Sequence, residues 1–239
     1  MKSQLLLWET AKGVCAVMAF EEQTKLAVND YLKSHLADWE WHQNRFDFIT
    51  DETLRDRLAD EFISTRYVYK VLEGMAADSW LLRAQIRLQV LSYASIYEAV
   101  IHHVLFENLA SNPDVKALTE YKTKKVISIP TEKKAMLAAA LSHIGKDIIP
   151  TYEDVGNTDI TKVRFDRKAE CAEKLGLIET KLKDEIIEFY EARNAIHIHA
   201  EIKKSLDYQL ELSKRAYQRM EPFVDQLRVN LPKVLANQH

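Results

Sequence analysis

A chain of 239 residues with only five glycines and five prolines carries about 4% of the two backbone breakers where roughly 12% is usual, which argues against a Gly-rich fold or a β-sandwich. Its 47% hydrophobic and 29% charged residues exclude global disorder. With 33 basic against 36 acidic residues and a net charge of -3, wholesale attraction to nucleic acid or anionic lipid is excluded too, so a polyanion would need a local patch.

The apolar run at residues 5–8 is too short for a signal-peptide core, and the longest one, residues 14–20, is far below the roughly 20 residues that span a bilayer. Cys15 and Cys171 stand far apart, without the spacing of a metal site or a disulfide framework. The expectation is a cytoplasmic protein with no membrane association.

Apolar positions recur at helical spacing over residues 4–37, with Gly13 the one weak point. An aromatic patch follows (Trp39, Trp41, Phe46, Phe48), then a second periodic stretch over 51–73 that stops at Gly74. Asp78 or Ser79 is placed to cap a third helix, 80–109, which is apolar nearly all round and so needs cover on more than one side, in a bundle centre or against another subunit. Asn112-Pro113 ends it.

Residues 111–130 read as a loop carrying Lys122, Lys124 and Lys125. A short Ala-rich helix from Thr131 to His143, closed by Gly145, leads into a turn-rich connection with Pro150, Gly156 and Asn157. Another short helix spans 166–175, with Gly176 at the position just past its end. Two last helices cover 178–200 and 203–229, stopping near Pro232. The pattern predicts an all-α fold of six to eight helices. No internal repeat, low-complexity tract or linker marks a domain boundary.

The helix over 178–200 carries an apolar stripe at Ile178, Leu182, Ile186 and Phe189 that continues through Arg193, Ile196, His197 and Ala200. A guanidinium cannot be neutralised, so Arg193 on that stripe requires a carboxylate, an anion or a subunit boundary. Glu98, on the apolar third helix, is a candidate to hold it.

The string Arg193-Asn194-Ala195-Ile196-His197-Ile198-His199 resembles the Arg-x(4–6)-His motif of the HEPN superfamily, often written with Asn directly after the Arg. Five residues separate Arg193 from His199, inside the family range, and three separate it from His197, outside it. Lys174-Leu175-Gly176-Leu177-Ile178 resembles the family's approach to the motif, and Leu91-Ser92-Tyr93-Ala94-Ser95-Ile96-Tyr97-Glu98 its small-residue helix ending in a Glu. The likeness covers mainly residues 79–110 and 165–230, which implies a HEPN-like helical domain of residues 76–239 with an insertion at about 111–165 and a helical extension of residues 1–75 packed on it.

The resemblance implies an up-and-down HEPN-type bundle and a homodimer whose Arg/His helices share a cleft. It implies RNA cleavage without metal or other cofactor, by attack of the 2′-hydroxyl on the adjacent phosphate to leave a 2′,3′-cyclic phosphate. It also implies a toxin or anti-phage role, with an antitoxin or regulatory protein as partner. Arg193 would stabilise the phosphate, His199 would move the proton and Asn194 would orient them. On an ideal helix His199 lies roughly 120° around from Arg193 and His197 about 40°. Helix distortion, action across the dimer axis, or His197 in the role would each reconcile this; family spacing selects His199.

Three other readings stay beside it. Glu98, His102 and His103 could contribute to a metal site in a bundle, but the paired Glu-x-x-His signature is absent. Lys122, Lys124 and Lys125 could guide RNA or be plain solvated surface. The whole could be a non-catalytic dimeric binding or scaffold module, or a small-ligand binder between helices.

Overall fold

A computed structural model of the chain describes residues 20–141, 146, 149–195 and 209–237. Two compact units divide the chain, Met1–Ala37 and Asp38–His239. In the first, the described helix is α1 (Glu22–His35); its Glu22 pairs with Lys25 at 3.2 Å and Ser34 bonds the Tyr31 carbonyl. Of the helix expected over 4–37, the part before residue 20 lies outside the described residues.

The second unit is mostly helical. It begins with α2 (Trp39–Asn44), which Asp38 caps by accepting from the Trp41 amide, and α3 (Glu52–Gly74), which Asp51 caps through the Leu54 amide. A short turn with left-handed backbone at Ala76 and Ser79 leads to α4 (Ser79–His103). Asp78 stands at the N-cap, but its side chain makes no capping bond, which corrects the capping expected there. After α4 the chain continues as a π-helical turn over Val104–Asn108, closed by a Leu109 amide to Val104 carbonyl bond of 3.1 Å.

Next come α5 (Pro113–Thr119), β1 (Glu120–Val126), α6 (Thr131–Ala140) and β2 (Thr151–Asn157). α7 (Phe165–Lys174), α8 (Thr180–Asn194), α9 (Leu210–Gln218) and α10 (Met220–Ala236) complete the unit. α4 is its central rod. α3, α7, α8 and α9 all pack on it, and Tyr93, Tyr97, Val100, Ile101 and His103 are buried along it. The core runs from Phe46 and Phe62 through Tyr97 to Phe165, Phe189 and Phe223. The Tyr97 hydroxyl, fully buried, donates to the Ala216 carbonyl at 2.7 Å and ties α4 to α9.

α7 ends as its sequence dictates. Gly176 takes φ +72°, its amide bonds the Glu173 carbonyl, and the Leu177 amide reaches back to Ala172. This paired closure satisfies the last carbonyls of the helix.

Three local expectations are corrected. Residues 111–130 are not a loop: they form α5 and β1, and β1 pairs antiparallel with β2 from Glu120↔Asn157 to Val126↔Thr151. Tyr121 covers Gly156 so closely that a side-chain carbon there would lie 2.7 Å from the ring, so the glycine leaves room for the phenol. The last helix does not stop near Pro232. It continues to Ala236, because Leu231, Val234 and Leu235 pack on the core on both sides of the proline and outweigh the lost backbone bond. It is also parted from α9 at Arg219, where a single helix was expected over 203–229. His143, Gly145 and residues 196–208 lie outside the described residues.

Candidate functional site

Arg193 sits in the last turn of α8, and α4 presents Glu98 to it. The Arg193 Nη1 donates to Glu98 Oε2 at 2.8 Å, with both side chains about 27% exposed. The Tyr190 hydroxyl donates to the other carboxylate oxygen at 3.3 Å, while the Arg193 guanidinium lies 5.1 Å from the centre of the Tyr190 ring. Tyr190 is fixed from beneath by Phe165, stacked at 4.5 Å. Asn194 hydrogen bonds the same phenol. Burial and then the Glu98 charge push the phenol's pKa up, so it stays a proton donor to the carboxylate.

The structure therefore brings Arg193, Asn194 and Glu98 into one interlocked group with Tyr190, which the sequence reading did not single out. His197 and His199 lie outside the described residues.

On its other side Glu98 lines an open cavity of about 800 Å³ between the ends of α3, α4 and α7. Lys168 forms part of the wall at 2% exposure and points its ammonium at His102 Nδ1, 3.1 Å away. Burial lowers the pKa of both groups, and the Lys168 charge lowers His102 further. His103 Nε2 and Asn108 Oδ1, also in the lining residues, are buried without hydrogen-bond partners. Among the described residues no three His, Cys, Asp or Glu side chains gather as metal ligands would.

Lys122, Lys124 and Lys125 are exposed on β1, remote in sequence from the Arg193 group. Lys125 is paired with Asp154, and Lys124 lies opposite Glu153 in register, so acidic residues of β2 offset part of this charge. The aromatic patch fills a core edge. Phe46 is fully buried, Trp39 donates to Asp60 at 2.9 Å, and the Arg45 and Arg66 guanidinium groups lie 4.2 and 5.5 Å from the Trp41 ring centre. Trp41 thus already carries the cations that its faces attract.

No described helix is long and apolar enough to cross a membrane. Comparison with protein-family models, with characterised proteins and with solved structures finds no match to this chain.

Proposed function

We propose that this chain is a metal-independent endoribonuclease of HEPN type, a cytoplasmic toxin or defence effector working as a homodimer. The observation that carries the reading is the Arg193–Glu98 pair, 2.8 Å across the α8–α4 contact. It fixes a guanidinium beside Asn194 at the end of α8, at the start of the Arg-Asn-x(4)-His string, and leaves it partly open to solvent. Glu98 takes one of the five N–H donors of the guanidinium; the planar fork suits a phosphate with what remains.

In this mechanism the RNA 2′-hydroxyl attacks the adjacent phosphate. Arg193 donates to the non-bridging oxygens as their charge grows, and His199 carries the proton between the attacking and leaving oxygens. Tyr190 and Glu98 orient Arg193. A dimer would bring two arginines and two histidines into one site, each arginine offset in part by its own Glu98. An antitoxin or regulatory protein would hold such an activity in check.

The interlock of Arg193, Glu98 and Tyr190 also favours a second reading, a non-catalytic helical module in which the arginine merely pins α8 to α4. Purified protein incubated with total cellular RNA in excess EDTA separates the two. Cleavage that leaves 2′,3′-cyclic phosphate ends is expected from the wild type. Arg193→Ala and His199→Ala should each lose on the order of 100-fold or more, and His197→Ala less. Intact RNA after incubation with the folded wild type, or equal cleavage by Arg193→Ala, would reject the nuclease in favour of the module.

A further inference from the structure

β1 and β2 form a ribbon of two seven-residue strands without one buried residue. A lone two-stranded ribbon is marginal in water, because it has no apolar face to cover. This one leaves Val126 and Val155 63% and 61% exposed. Apolar side chains held open on an extended surface mark a place that another molecule covers.

Charge selects the molecule. Residues 120–157 hold six lysines and five carboxylates, so this arm has no strong net field with which to draw in a polyanion. The charges are sorted by strand instead: after Glu120, β1 carries Lys122, Lys124 and Lys125, and β2 carries Glu153 and Asp154. An arm with one basic and one acidic strand is complementary to a second copy of itself. Edge pairing does not exploit this. β1 beside β1 sets lysines against lysines, β2 beside β2 sets carboxylates against carboxylates, and β1 beside β2 of another copy leaves a free edge at each end and never closes.

Stacking face to face remains, and one face of the ribbon is open for it. Lys122 stands opposite Val155 and Lys124 opposite Glu153, and alternation puts these four on one face with Val126. Lys122, Lys124 and Glu153 are exposed and make no ion pair among the described residues. On the other face Tyr121 already lies over Gly156, and Lys125 pairs with Asp154.

We propose that the arm is a self-association surface, on which the face of Lys122, Lys124 and Val155 stacks on the same face of a second copy about a two-fold axis parallel to the strands. That axis sets the basic strand of each copy over the acidic strand of the other at the same level. Lys124 of each copy meets Glu153 of the other, and the stem of each Lys122 covers Val155 of the other. Stacked sheets lie about 10 Å apart, within the reach of these side chains. The contact is small, so the association is weak and depends on concentration. It uses neither Arg193 nor the histidines of the motif, so a nuclease and a non-catalytic module would associate alike.

Sedimentation velocity of the full chain at low salt, from a few to a few hundred micromolar, tests it, with retention of single-stranded RNA on a filter measured beside it. The wild type passes from monomer to dimer as its concentration rises. Lys124→Glu and Glu153→Lys each self-associate at least about 10-fold more weakly, because each turns two opposite-charge contacts into two like-charge ones. An equimolar mixture of the two variants regains the dimer, and so does the double variant, which also restores opposite charges within the ribbon. A wild type that stays monomeric, single variants that dimerise as the wild type does, or a mixture that stays monomeric would each overturn the proposal. RNA retention that falls with Lys124→Glu while the wild type remains a monomer would assign the arm to RNA instead. Cleavage of RNA in EDTA by the same samples reports separately on the nuclease reading.

Discussion

Tyr97 and Arg193 are both polar groups on the apolar stripes of their helices, and their fates show what a single residue can disclose. Tyr97→Phe removes the donor to the Ala216 carbonyl at full burial and is expected to lower stability by about 1 kcal/mol, read from the urea midpoint at unchanged slope. A midpoint equal to that of the wild type would mean that this hydrogen bond adds nothing to the packing of the ring. Arg193 was legible beforehand: a guanidinium on a buried stripe demands a partner, and Glu98, the acidic residue of the facing apolar helix, is where the structure puts it. Lys168 carries an equally readable signal: the helix expected over 166–175 is present as α7, and the lysine falls on its buried stripe with Phe165, Ala169 and Ala172. Asn108 could not be read, because it lies in the π-helical turn, which shifts the phase on which any inference of facing depends.

The elements divide by the same test of periodicity. α3, α4, α7 and α8 announce themselves because each buries a stripe, whereas β1 and β2 bury none and so show no alternation to find. Their pairing also joins segments separated by α6, and a contact so distant in sequence leaves no local mark. The ribbon and α6 have no fully buried residue, and the amide of Thr158 already reaches the carbonyl of Thr119 at 2.8 Å. Replacing residues 120–157 by a short Gly/Ser link should therefore shift the melting temperature of the bundle by no more than about 2–4 °C, the equivalent of about 1 kcal/mol at this size. A larger drop would make the ribbon a support of the core. In the nuclease reading the same deletion, which removes Lys122, Lys124 and Lys125, tests the basic rim: if they touch RNA phosphates, the salt dependence of binding flattens.

Among the described residues, burial lowers the pKa of two histidines, His42 and His102, below the usual 6.5. For His42 the adjacent Arg66 adds to the effect and the Asp38 carbonyl opposes it; for His102 Lys168 adds and Glu98 opposes. As pH falls through the unfolded value, the unfolded chain gains protons that the folded chain refuses, so stability is full above about pH 6.5 and declines below it. Denaturant titrations between about pH 7.5 and 5.5 should show the decline, and His102→Gln should make it shallower. A flat profile would mean that neither imidazole is kept neutral by the fold.

Glu98 has one further consequence. Its carboxylate holds the guanidinium of α8 and at the same time lines the cavity above Lys168, so the two places share a single anion. An occupant that draws this carboxylate toward the cavity loosens its hold on Arg193. An anion that takes Arg193 returns the carboxylate to the cavity. Thermodynamic linkage then fixes the exchange in both directions: whatever factor one occupant imposes on the affinity of the other, it receives back in full.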